Sequence, residues 1–189
     1  MMPTRDDALA LMESWTESDS LRKHMLAVEA AVAAYAREQG EDETLWSVAA
    51  ILHDFDYERY PNPDRDESGH PWVGVAKLKE LGYPEEVTDA ILGHADYTGV
   101  PRRTPLARTL FACDEITGLV TAAVLVRPDR DIANQTVKSL KKKFKDKAFA
   151  RSVDRGCVYG GAEAVGRPLP EHIGFLIESL KPIAAEIGL

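Results

Sequence analysis

The chain has 189 residues, 44% of them hydrophobic and 29% charged, with a formal net charge of −8. That length suits one domain able to bury a core, and the balance excludes a disordered or membrane-embedded polypeptide. No apolar run reaches the roughly 18 residues that span a bilayer, and the acidic N-terminus MMPTRDDALALMESW has no basic-then-apolar secretory pattern. A cytoplasmic protein with no membrane partner is expected. Two cysteines, Cys113 and Cys157, do not make a disulfide framework, and free thiols in a reducing compartment are the simpler account. The negative charge excludes extended nucleic acid as a partner, because phosphate neutralisation needs a basic surface. Charge is uneven, however: Lys138, Lys141, Lys142, Lys143, Lys145, Lys147, Arg151 and Arg155 face only Asp146 and Asp154, a local +6 that leaves −14 elsewhere.

Helix signals recur along the chain, and no alternation of period two appears. Thr4-Arg5-Asp6-Asp7 reads as a capping box opening a short first helix. Ser18 to Ser20 cap a second that runs to Gln39 and stops at Gly40, and Leu21, His24, Val28, Ala31 and Tyr35 recur at helical spacing, which puts His24 on the buried stripe. Asp42 caps a third through Leu52, directly ahead of the pair His53-Asp54, and Tyr60 to Gly69 is a polar loop rich in turn formers. A fourth helix is expected from about His70 to Leu81, stopped by Gly82, and a fifth from Pro84 to about His94. Thr104-Pro105 opens a long sixth carrying Leu106, Leu110, Cys113 and Asp114. Gly118 lies inside it, where glycine weakens the helix and permits close packing. Arg127-Pro128 ends that element. The lysine-rich stretch gives one or two further helices, buried through Val137, Leu140, Phe144 and Phe149. A terminal helix from Pro170 to about Ile187 either packs on the bundle or pairs with a second copy, so the oligomeric state stays open. With neither repeat nor linker, an all-α, single-domain bundle of about eight helices is expected.

Four of the five histidines precede Asp114, in the order His24, His53-Asp54, His70, His94, Asp114. The gaps of 16 to 29 positions match a helix plus its return, so successive helices can aim these side chains at one point. A lone histidine is ordinarily a satisfied or surface residue. An ordered set beside a His-Asp dipeptide is better explained by a shared partner, since an imidazole and a carboxylate behind an apolar run must both be satisfied. Imidazole and carboxylate without cysteine suit a divalent transition ion in a catalytic site.

With "LRKHMLAVEA", "AAILHDFDY" and "LFACDEITGLV" around His24, His53-Asp54 and Asp114, the chain resembles the HD-domain superfamily of metal-dependent phosphohydrolases over about residues 20–126. The resemblance implies an all-α core holding one metal on those four side chains; the basic and C-terminal helices of 127–189, beyond the likeness, are expected to pack on it. His70 in "GHPWVGVAKLKELG" and His94 in "AILGHADYTG" extend the likeness to the six-ligand, two-metal members. That implies a first ion on His24, His53, Asp54 and Asp114, with Asp54 bridging to a second on His70 and His94. The cofactor is thus one or two divalent transition ions, and these ligands do not distinguish Mn, Fe, Co, Ni or Zn. Gly82-Tyr83-Pro84 precedes a single His94, unlike the cyclic di-GMP hydrolases of the HD-GYP type, and reads as a turn between helices.

Two close divalent ions lower the pKa of a water, orient it and stabilise the leaving oxygen in phosphate-ester hydrolysis; with one ion the same chemistry is less symmetric, and Asp54 is then the catalytic carboxylate that orients or deprotonates the water. A small phosphorylated molecule, such as a nucleotide, is the expected substrate. Arg59, Lys138, Lys142 and Lys145 are candidate substrate-binding cations, the lysines sharing one helix face with Lys141, and Asp56 and Glu58 are candidate supporting or substrate groups. Two other readings fit the same ligands. Myo-inositol oxygenase and the organophosphonate-cleaving diiron oxygenases are similar at all six positions, and a nucleotide-sensing module could retain the pocket.

Overall fold

In the computed structural model, residues 2–146, 148–149, 151 and 153–189 are described, so Lys147 of the basic stretch lies outside the described residues. The described residues are all-helical. Nine α-helices have eight residues or more: α1 (Arg5–Trp15), α2 (Asp19–Gln39), α3 (Glu43–Ile51), α4 (Trp72–Glu80), α5 (Glu85–His94), α6 (Pro105–Leu125), α7 (Val137–Phe144), α8 (Arg155–Ala164) and α9 (Leu169–Leu180). A four-residue α10 (Ala184–Ile187) follows. Among the described residues no helix is long and apolar enough to cross a membrane.

The helix ends follow local chemistry. Thr4 and Asp7 close a reciprocal capping box, and the hydroxyls of Ser18 and Thr104 accept the amides of Leu21 and Ala107. Gly40 ends α2 at φ +72°, a conformation that glycine adopts without strain. Two elements depart from expectation. The fourth helix starts at Trp72 and not at His70, because a residue before proline disfavours the helical region and Pro71 brings no amide. The terminal helix breaks into α9, a 3₁₀ turn at Lys181–Ile183 and α10 around Pro182, which cannot donate the next helical bond.

α6 is the central element. Thirteen of its 21 residues are buried, and the others, Arg108, Asp114, Glu115 and Gly118 among them, recur at helical spacing on one less buried face. It packs against α2, α5, α8 and α9, while α3 lies against α2 and α5. Met25, Val28, Tyr35, Trp46, Ile51, Leu110 and Ile116 meet in the shared core. The remaining histidine, His172 on α9, is buried there. Its Nδ1 accepts the Tyr35 hydroxyl at 2.7 Å and its Nε2 donates to the Ala112 carbonyl at 2.8 Å, which joins α9 to α2 and α6. Burial lowers its pKa and favours this neutral form.

Gly118 does not serve close packing: a Cβ there would meet nothing within 4 Å, and the residue borders an open pocket. The close approach falls at Gly161 of α8, where a Cβ would lie 2.7 Å from the Ala112 Cα of α6. Gly161→Ala should therefore lower stability by about 1–3 kcal/mol through overpacking. Gly118→Ala should raise it by about 0.5–1 kcal/mol, the helix-interior cost of glycine. Both are read as shifts in urea midpoint at constant m.

Candidate metal centre

The α3 helix stops at Ile51, and the His53 ring turns back so that Nδ1 donates to the Ala50 carbonyl at 2.7 Å, one of the carbonyls a helix end leaves free. His94, the last residue of α5, bonds the Ile91 carbonyl in the same way. His70 Nδ1 donates to Asp56 Oδ1 at 2.7 Å, and Asp56 Oδ2 accepts the Gly74 amide, also at 2.7 Å. Asp56 is 1% exposed, and a Cβ on Gly74 would lie 2.7 Å from its Cγ, so only glycine lets α4 approach this carboxylate. In all three histidines a proton on Nδ1 leaves Nε2 as the free coordinating nitrogen.

Those nitrogens converge on Asp54. Its Oδ2 is 3.4 Å from His53 Nε2 and 3.7 Å from His24 Nε2, while its Oδ1 is 3.3 Å from His70 Nε2 and 3.5 Å from His94 Nε2. Asp114, from the middle of α6, reaches His24 at 3.0 Å and His53 at 3.5 Å. The six side chains thus form two groups that could each hold a cation, His24 with His53 and Asp114, and Asp54 with His70 and His94. One test of fit lies in the protein itself: His53 Nε2 is fully buried and has no hydrogen-bond partner. An orphaned imidazole nitrogen facing two carboxylates is a ready cation ligand.

Electrostatics favour the same reading. Burial works against charge on His53, yet the facing Asp54 and Asp114 overcome it and raise its pKa well above the usual value. Burial likewise opposes ionisation of Asp54 and Asp114, and the imidazoles around them hold both well below the usual carboxylate range. Five carboxylates, from Asp54, Asp96, Asp114, Glu115 and Asp154, line the pocket over this cluster, against Arg65 as the lysine or arginine among the lining residues. Divalent cations would balance that excess. Burial and the neighbouring Asp114 push the Glu115 carboxyl up to about 7.

The pocket has a volume of about 510 Å³, within the range of small-molecule sites. Tyr97 donates its hydroxyl to the His70 carbonyl at 3.0 Å, and burial next to Asp54 and Asp56 pushes its pKa up to about 12. Arg65 stacks over the Tyr97 ring at 5.5 Å. It is presented by a loop knit through Asn62, whose amide donates to the Asp66 and His70 carbonyls at 2.7 Å each and whose oxygen accepts the Asp66 amide at 3.0 Å.

The other expected substrate groups fall elsewhere. The Arg59 guanidinium lies over the Trp15 ring at 5.3 Å and donates to the Ser14 carbonyl, so α1 holds it away from the pocket. Glu58 accepts the Glu17 and Ser18 amides at 2.8 and 2.9 Å, and Thr16 donates to the Phe55 carbonyl at 3.0 Å. These contacts bolt the turn after His53-Asp54 onto the α1–α2 junction. Lys138, Lys142 and Lys145 line a separate depression with Thr136, Ser139 and Pro170, and none borders the metal pocket.

Sequence reasoning missed Arg65, Tyr57, Tyr97, Glu115 and Cys157, which border the pocket. Tyr57 and Glu115 carry a faint signal, one turn after Asp54 and one residue after Asp114. Nothing local marks Arg65, Tyr97 or Cys157.

A helical chain with His and Asp side chains gathered in this order has a recognisable class. The family model for the HD domain matches residues 21–119, just over half of the chain, and the protein belongs to that family, which is generally one of metal-dependent phosphohydrolases. Comparisons with curated proteins and with solved structures give no match.

Because Asp56 orients His70, Asp56→Ala should weaken divalent-metal binding by about 10- to 100-fold, the usual cost of losing a ligand's supporting carboxylate. His53→Ala should weaken it as well. Calorimetric titration with Mn²⁺ or Zn²⁺, backed by elemental analysis, checks both; an unchanged isotherm in either variant contradicts the assignment.

Proposed function

We propose that the protein hydrolyses small phosphate esters, nucleotides among them, with His24, His53, Asp54, His70, His94 and Asp114 holding two divalent transition ions. The observation that carries this reading is the division of labour at Asp54, whose two oxygens face two different sets of ligands. A carboxylate placed between two groups is suited to bridging, and bound ions would supply charge stabilisation and a water of lowered pKa.

The chain's own residues have separate tasks. Asp54 holds the two halves of the site together and is the catalytic carboxylate that orients the attacking water. Asp56, Ala50 and Ile91 keep His70, His53 and His94 in the tautomer that leaves Nε2 free. Arg65, over Tyr97 at the pocket wall, meets the anionic end of the substrate. Guanidinium suits this task because its fork of donors matches phosphate oxygens. The lysines of α7 act at most at long range.

Phosphate release should be followed against a panel of esters with Mn²⁺, Fe²⁺, Co²⁺, Ni²⁺ or Zn²⁺, with and without oxygen. Turnover is expected with at least one metal under anaerobic conditions. Asp54→Ala should lower kcat/KM by about a thousandfold or more, the scale of the several kcal/mol that metal-held charge supplies. Iron-dependent oxygen uptake without phosphate release would overturn hydrolysis in favour of an oxygenase, and saturable nucleotide binding with no turnover would favour a sensor.

A further inference from the structure

Beside α2 the metal pocket has a neighbour. A second depression of about 480 Å³, lined by Ser18, Ser20, Leu21, Glu58 and Pro61, has His24 and Tyr57 in common with it. The two depressions therefore adjoin, with His24 and Tyr57 on the wall they share.

Tyr57 is an unusual residue for such a wall. The residue is 50% exposed, and of the large hydrophobic residues exposed among the described residues it alone borders the metal pocket. The ring is nonetheless held in place. Its backbone amide donates to the Asp54 carbonyl at 3.0 Å, so the residue belongs to the same turn as Asp54. Its edge-to-face contact with His70, at 5.2 Å between centroids, orients the ring without covering it. Beyond it, Leu21 and Pro61 add apolar surface. The polar neighbours are largely engaged: Ser18 caps α2 and bonds Ser20 at 3.0 Å, and Glu58 accepts two backbone amides. A surface made of an exposed ring, a leucine and a proline, with few free polar groups, suits a flat hydrophobic face more than a sugar or an alkyl alcohol rich in hydroxyls.

We infer that this second depression is a leaving-group subsite, in which Tyr57 stacks a planar ring while the phosphate lies at the six-residue centre beside Arg65. The inference rests on the hydrolase reading above and narrows its substrate class to phosphate monoesters whose alcohol carries an aromatic or heteroaromatic ring, nucleoside monophosphates included. Tyr57 is then a specificity residue and touches the part of the substrate that does not react. Binding energy of that kind appears in KM and leaves kcat largely to the metal centre.

AMP and ribose 5-phosphate share the same leaving oxygen and differ in the base, so the ratio of their kcat/KM values isolates the subsite. In the metal-loaded wild-type protein the ratio should favour AMP by about 10-fold or more, within the range that base stacking on an aromatic side chain provides. Tyr57→Ala should bring the ratio close to one, chiefly through a raised KM for AMP, and Tyr57→Trp, which restores a ring, should keep it. Metal content is measured in each variant. Calorimetric binding of AMP and ribose 5-phosphate to the Mn²⁺-loaded proteins gives the same comparison without turnover. If wild-type protein hydrolyses both esters equally well, or Tyr57→Ala lowers both equally, the subsite is refuted and the hydrolase reading stands. If neither ester is hydrolysed but AMP binding still drops about 10-fold in Tyr57→Ala, the subsite stands and the hydrolase reading fails. Equal binding of AMP and ribose 5-phosphate overturns the inference whatever the activity.

Discussion

Gathering four imidazoles and two carboxylates at the centre of a helical protein is costly unless each group finds opposite charge or a hydrogen bond, and that constraint organises the structure. The solution is geometric. Asp54 turns one oxygen to His24 and His53 and the other to His70 and His94, while Asp114 closes the first group. What remains unsatisfied, the Nε2 of the fully buried His53, faces those carboxylates and marks where a cation would finish the arrangement.

The frame around the cluster serves that arrangement. α6 buries thirteen of its 21 residues in the core and presents Asp114 from its middle on the less buried face, so this carboxylate cannot shift without moving the core helix. His53 and His94 leave helix ends, where a free carbonyl can fix the ring through Nδ1. His70 has no helix carbonyl to use and takes Asp56, which Gly74 allows to approach α4. Thr16, Glu58 and Arg59 clamp the His-Asp turn to the N-terminal helices. Residues that look like substrate groups in the sequence thus act as fasteners, and the pocket wall is formed instead by Arg65, Tyr57 and Tyr97 among others.

The pocket also explains why charge on the sequence scale misleads. The lysine run is the strongest positive feature of the chain, yet Lys138, Lys142 and Lys145 surround a depression of their own. Fields from such charges fall off over a Debye length of about 8 Å in physiological salt, so proximity decides which cation meets the substrate. The pocket is instead rich in carboxylates, which fits a centre whose positive charge is brought by ions and not by side chains.

The amino-acid sequence by itself determined the helical class, most helix boundaries and the ordered series of histidines and aspartates, because capping residues, 3.6-residue periodicity and ligand order are all local or one-dimensional properties. Its failures were equally physical. It placed the start of the fourth helix at His70, ahead of a proline, and it ran the last helix through Pro182, where the backbone lacks a donor. It assigned close packing to Gly118, although only the meeting of α6 and α8 reveals that Gly161 carries it. The tertiary structure alone decided that Asp54 stands between two pairs of histidines, that Asp56 orients His70 from 14 positions away, and that Arg65 and not Arg59 reaches the pocket. Those facts depend on where side chains from distant segments meet, and no local pattern encodes such meetings.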